Sequence, residues 1–302
     1  MTTAVTTAPP VATPAVSGRR RRPAGRRIGS LLAGAAAIVV FLASVFPVYW
    51  MVNTSFQPNG QVRGSQLHFW PDDFTTENYT NVIFESARAP FLPALANSLA
   101  VTLITVAVSL VFAFLAALAV TRFRFRSRAA FIITILIIQM IPAEAMIISI
   151  FRLMDGWHLL NTIVGLSAVY GATVLPFTIW TLRGFVNGVP VELEEAAMID
   201  GLSRSRAFWQ ITFPLLAPGL VATGVFGFIQ AWNEFVFALV LNPRPEAMTL
   251  PVWLRTFLDP NGGINWAELM AGSTLVAIPV VVFFLIVQGR MTSGLVAGAV
   301  KG

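Results

Sequence analysis

The chain has 302 residues, of which 56% are hydrophobic and only 11% charged, with a formal net charge of +6. A soluble domain carries about 25% charged residues, so this chain has too little polar surface to cover a water-facing globule and reads as an integral membrane protein. The lack of cysteine excludes disulfides, thiolate metal sites and Cys nucleophiles. Two histidines, His68 and His158, have no ligand-like spacing. The basic residues cluster beside apolar runs instead of forming one face, which excludes nucleic-acid binding and fits membrane topology.

Residues 1–30 are Thr/Ala/Pro-rich and then strongly basic, from Arg19 to Arg22 with Arg26 and Arg27, and are expected to form a disordered cytoplasmic tail. Leu31–Met51 is apolar over about 20 residues, longer than a signal-peptide core, and lacks a small-residue cleavage site, so it reads as an uncleaved first span. The polar segment 53–92, with Arg63, Asp72, Asp73, Glu77 and Arg88, is expected to be external. A second span, Leu95–Val120, ends in Thr121-Arg122-Phe123-Arg124-Phe125-Arg126-Ser127-Arg128, whose arginines are expected to reach lipid phosphates. The third span, Ala129–Phe151, contains Pro142 and Glu144, and an external turn, Arg152–Asn161, leads to the fourth, Thr162–Leu182.

The loop 184–216 is the longest polar break in the second half of the chain. Pro190 followed by Glu192, Glu194 and Glu195 suits a helix start, since acids complement the exposed N–H groups of a first turn. Gly201, after Asp200, can take positive φ and stop that helix after about three turns. Ser203 is placed to cap a second short helix through Ala207, Phe208 and Ile211, which Pro214 and Pro218 are expected to interrupt. Ala196 and Ala197 would let another surface approach the first helix closely. These acids have no nucleophile or metal beside them, so catalysis is not expected there.

The fifth span, Gly219–Leu241, carries Gln230, Trp232, Asn233 and Glu234. Polar groups at membrane depth are costly and therefore functional candidates. On a continuous helix Gln230 and Glu234 would share a face. The cluster can line a solute path, with Trp232 or Phe235 stacking on the solute, or act as glue between helices. Asn97, Gln139 and Glu144 read as packing contacts. An external loop, 242–268, precedes the last span, Leu269–Val287, and a tail, 289–302. The resulting arrangement is all-α and polytopic, with a six-helix transmembrane domain over 31–288 and both termini in the cytoplasm. Arginine and lysine divide 15 to 5 between its inner and outer segments, which places loop 184–216 inside. An ion-coupled secondary transporter using Glu144 and Glu234 is the alternative, but the two related halves such proteins show are not visible.

Glu195-Ala196-Ala197, then Gly201, then Ile211-Thr212-Phe213-Pro214 resembles the EAA loop of ABC-importer permeases at that family's spacing, with Phe213 where leucine is usual. Asp200 and Phe208 stand where the sugar-importer branch commonly has them. Phe228–Phe235 resembles the fifth-span signature of the sugar permeases, and Phe69-Trp70-Pro71 with Phe74–Tyr79 their external segment. The ending Gly294–Gly302 resembles the maltose-type tail that reaches into the ATPase dimer. The resemblance implies a type I ABC importer permease fold in a bacterial inner membrane. It further implies a second permease, two ATPase subunits, an extracellular sugar-binding protein and a sugar substrate, with glycerol phosphate open as another solute. By the same resemblance, Glu195, Ala196, Ala197, Asp200, Gly201, Ile211 and Pro214 would couple the chain to the ATPase. This chain would bind no cofactor, ATP and Mg being held by the ATPase; no phosphate-cradling Gly-rich loop ending in Lys-Ser/Thr occurs in it.

Overall fold

The computed structural model describes residues 24–64, 67–85, 89–258 and 263–299. Residues 1–23 of the basic tail and the last three residues of the C-terminal tail lie outside these. The chain divides into two compact units, Met1–Tyr49 and Trp50–Gly302. Among the described residues of the first unit there is one element, the larger part of helix α1 (Ala24–Ser55), which starts before Leu31. Its side chains from Leu31 to Val48 are exposed and, apart from Ser44, whose hydroxyl donates to the Val40 carbonyl, apolar on every side, a helix made to face lipid or another protein.

Helices are the only regular secondary structure among the described residues of the second unit. Among them, five helices of the chain are long and apolar enough to cross a membrane, and one bent pair adds a sixth crossing if taken as a single span. Helices α4 (Phe91–Arg122) and α7 (Ile163–Gly188) pack along their lengths, and α10 (Phe213–Trp232) lies against both. Small residues make the close approach possible. Ala113 and Ala117 of α4 are fully buried, and a Cβ on Gly227 would sit 3.3 Å from Val174 and 3.7 Å from Val106. In lipid, where no hydrophobic force drives helices together, such van der Waals fit is the main source of cohesion.

The third span differs from its expected form. Helix α5 (Arg128–Met140) stops, Ile141 and Pro142 are extended, a 3₁₀ turn covers Ala143–Met146, and α6 (Ile147–Gly156) leaves at 84°. Pro142 has no N–H to give and disfavours the helical conformation of the residue before it, so the apolar run breaks there. Glu144 lies exposed at the break.

At the opposite end of α4 from Arg122, the segment after α1 folds onto itself through α2 (Asn59–Val62) and α3 (Glu77–Thr80). Buried Asn78 donates from Nδ2 to the carbonyls of Ser55 and Gln57, both at 2.9 Å, and Phe74 stacks on Phe56 at 4.8 Å. Asn97 donates to the carbonyls of Glu246 and Met248, so it does serve as a packing contact. Helix α13 (Trp266–Ala299) runs on past Val287.

Candidate functional site: the coupling loop and the fifth-span cluster

After α7 ends at Gly188, Val189 and Pro190 lead into α8 (Glu192–Ile199), with Glu192, Glu194 and Glu195 in its first turn. The helix is eight residues long, shorter than the expected three turns, and Pro190 lies before its cap. Its end is closed as the sequence suggests. Gly201 has φ +95°, its N–H bonds the Met198 carbonyl, and the Leu202 N–H bonds the Ala197 carbonyl, both at 3.1 Å. This pair of reversed bonds is the Schellman closure, which requires the left-handed conformation that glycine adopts without penalty. A Cβ on Gly201 would meet nothing within 4 Å, so only the backbone preference opposes a side chain. Replacing it by valine should cost about 1–2 kcal/mol in local stability. On the coupling role that the resemblance implies, Gly201→Val should insert normally but lose more solute-stimulated ATPase activity in the assembled transporter than Gly201→Ala. Full stimulation in the valine variant would remove the role of this closure.

The two alanines divide their work. Ala197 is 5% exposed where α8 folds back on α9 (Arg204–Ala207), whose Ala207 is fully buried. Ala196 and Glu195 are exposed. Only Ala196 can therefore offer its surface to a partner, because Ala197 is already used inside the chain. Beside them stands Ile199, 86% exposed, with Leu193, Met198 and Trp209 also exposed. The sequence pattern did not single out these exposed apolar residues. Asp200 caps α8 and is exposed, Ile211 is half-buried, and Pro214 is exposed.

The second arm does not stop at its prolines. Ser203 stands at the cap position of α9 but makes no side-chain capping bond. A π turn, Phe208–Thr212, joins α9 to α10, so helix runs unbroken from Arg204 to Trp232. Pro214 sits in the first turn of α10, where the wider π turn absorbs its missing donor. Phe208, Trp209 and Phe213 interlock, and Phe114 of α4 packs against Phe208 and Phe213. The base of the loop is thereby anchored on α4. Arg122, at the end of α4, turns inward instead of toward lipid. Its Nη2 donates to the Val189 carbonyl at 3.1 Å and lies 3.7 Å from the Glu194 carboxylate. That carboxylate accepts the Thr212 hydroxyl at 2.6 Å.

The fifth-span cluster is arranged differently from a single helical face. Helix α10 ends at Trp232, and Asn233 turns its Nδ2 back onto the Ile229 carbonyl at 2.8 Å. Glu234 accepts the N–H groups of Phe237 and Ala238 at 2.7 and 3.1 Å, which caps α11 (Val236–Leu241). Gln230 and Glu234 therefore do not share one helical face. The break arises because the carboxylate competes for the backbone N–H groups of the next turn. Trp232 is 2% exposed, stacked on Phe228, which stacks on Phe283. Its indole N–H has no acceptor among the described residues. Gln230 and Asn233 are exposed and Glu234 half-buried.

Comparison with known proteins agrees with this architecture. Residues 109–295 match the family described as binding-protein-dependent transport system inner membrane component. The chain is 44% identical to the diacetylchitobiose uptake system permease protein DasC of Streptomyces coelicolor, covering 91% of this chain and 98% of that one. It is 37% identical to the trehalose/maltose transport system permease protein MalG of Thermococcus litoralis, covering 88% and 95%. A solved bacterial ABC transporter involved in import of the acidic polysaccharide alginate superposes with a TM-score of 0.75 at 23% identity, over 89% of this chain and 98% of that one. The fold is that of type I ABC-importer permeases. The chain belongs to the family of binding-protein-dependent transport system inner membrane components, the non-catalytic permease subunits of ABC importers.

Proposed function

We propose that this permease imports a disaccharide or short oligosaccharide, paired with a second, different permease, and that α8 transmits the closure of two ATPase subunits to its helices. The observation that carries the coupling role is the exposed face of α8. Glu195, Ala196 and Ile199 stand clear of the chain on a helix whose end is fixed by Gly201. Glu195 is free to pair with a basic group, Ala196 permits close contact, and Ile199 supplies apolar area of the kind that anchors an interface. Asp200, Gly201, Ile211 and Pro214 shape and support this face. ATP and Mg belong to the ATPase; the chain itself holds no cofactor.

A saccharide is favoured because the relatives named above carry diacetylchitobiose, trehalose or maltose. Gln230 and Asn233 line the path, while Glu234 and buried Trp232 support the break in the fifth span between them. Both termini and α8 face the cytoplasm, as the 15 to 5 division of basic residues supports, and an extracellular binding protein delivers the sugar. The tail 289–302 reaches toward the ATPase.

The test is purification from detergent-solubilised membranes, followed by uptake in proteoliposomes containing the co-purified subunits and binding protein. Labelled diacetylchitobiose, trehalose and maltose are the trial solutes. The expected result is co-purification of an ATPase and a second permease, with uptake of at least one solute that needs internal ATP and survives collapse of ion gradients. ATP-dependent uptake of a glycerol phosphate but of no saccharide would overturn the substrate class.

A further inference from the structure

We propose that Arg122, Glu194 and Thr212 form a buried clamp that makes the coupling helix move as one body with α4 and α10. The proposal rests on the coupling role given above to α8. The Arg122 and Glu194 side chains are only 13% and 12% exposed, and Thr212 is fully buried. One guanidinium nitrogen serves two elements at once: it meets the carboxylate of α8 at 3.7 Å and the carbonyl of Val189, which closes α7, at 3.1 Å. The same carboxylate oxygen takes the Thr212 hydroxyl at 2.6 Å from the π turn that opens α10. Four helices thus meet at one charge pair, and Glu194 faces inward while its neighbour Glu195 faces out.

A short helix on a loop transmits a pull only if its base does not yield. The turn at Gly201 and the buried Ala197 hold the far end of α8 on α9, whereas its first turn follows α7 across the short link Val189–Val191. The clamp spans that link, tying the first turn of α8 across to α4 and to the turn that opens α10. Partners on three separate elements also make the contact directional: an arginine–carboxylate pair with low exposure is weakened little by salt and is costly to break by removing one member. Arg122 and Glu194 are positioning residues, which act through α8 and need not touch the ATPase.

The experiment uses the whole transporter with its ATPase and binding protein, comparing Arg122→Gln, Glu194→Gln, the double variant and Thr212→Val. The readouts are ATPase retention on purification, ATP hydrolysed per solute imported, and stimulation of hydrolysis by loaded binding protein. Each glutamine variant should keep its ATPase yet import about tenfold less solute per ATP, within the range of ordinary coupling between sites. The double variant should be no worse than either single one, because all remove the same contact. Thr212→Val should fall between these and the parent. Normal coupling in either glutamine variant, additive losses in the double, or loss of bound ATPase would each overturn the clamp. A parent transporter whose hydrolysis is not stimulated would instead remove the coupling role of α8, so the two failures are distinguishable.

Discussion

Glu195→Lys should abolish uptake, by on the order of a hundredfold or about 3 kcal/mol of coupling, while leaving the chain in the membrane. The carboxylate is exposed, and among the described residues it makes no hydrogen bond or ion pair that the substitution would break. Its replacement therefore has little access to the stability of the fold, where surface changes stay within about 0.5 kcal/mol. What it does change is the sign of the charge offered next to Ala196 and Ile199, and a like charge facing a basic partner is strongly unfavourable at an interface. Proteoliposome uptake and thermal melting, measured together, check this. Reduced uptake with an unchanged melting temperature is the expected pair, and parent-like uptake would exclude Glu195 from the interface. Glu194→Lys makes a useful contrast, because that side chain is buried against Arg122 and should lower the melting temperature as well.

Trp253→Ala should give the largest loss of stability at the other end of the bundle. Trp253, on α12 (Leu250–Arg255), is fully buried. Its Nε1 donates to the Ala89 carbonyl at 3.0 Å, and its ring packs against Phe91 at 5.1 Å and Phe257 at 4.9 Å. Truncation of such a residue costs about 3–5 kcal/mol, and the stranded carbonyl adds about 1–3 kcal/mol. That indole is what ties the loop before α4 to the segment before α13. Fluorescence-detected gel filtration in detergent should show loss of the monodisperse peak for the alanine variant. Trp253→Phe keeps most of the packing without the hydrogen bond and should melt between the two. An alanine variant that elutes and melts like the parent would contradict this assignment.

How much of this was visible in the sequence follows from the range over which each feature is decided. The closure of α8 at Gly201 depends on a few consecutive residues, and it was legible. So was the number of apolar runs, since hydropathy records length and composition. Hydropathy does not record direction, which is why a run containing Pro142 read as one straight span although it bends by 84°. Pro214 and Pro218 were expected to interrupt a helix that in fact continues: the π turn covers the fourth residue before Pro214, and Pro218 is carried inside α10. Arg122 sits in a stretch where arginines alternate with aromatics, and the alternation suggested lipid contact for all of them. Its partners lie on α8 and beyond, a long way along the chain, and no local pattern announces them. Ala197 and Trp232 follow the same rule: the residue types suggested outward roles, and packing against distant helices took them inward.

The length of α4 has a consequence for charge at the membrane surface. With 32 residues it is about 48 Å long, and even tilted by about 20° it exceeds a hydrocarbon core of about 30 Å. If the excess is shared between its ends, the Arg122 end stands roughly 8 Å clear of the hydrocarbon, at the outer face of a headgroup layer about 5–8 Å deep. In the proposed orientation the lipid headgroups there are anionic, a setting in which Glu192, Glu194 and Glu195 would be repelled. The helix acts as a pedestal: a shorter one would leave the acids of α8 within the headgroup layer, whereas 32 residues carry them to its outer face.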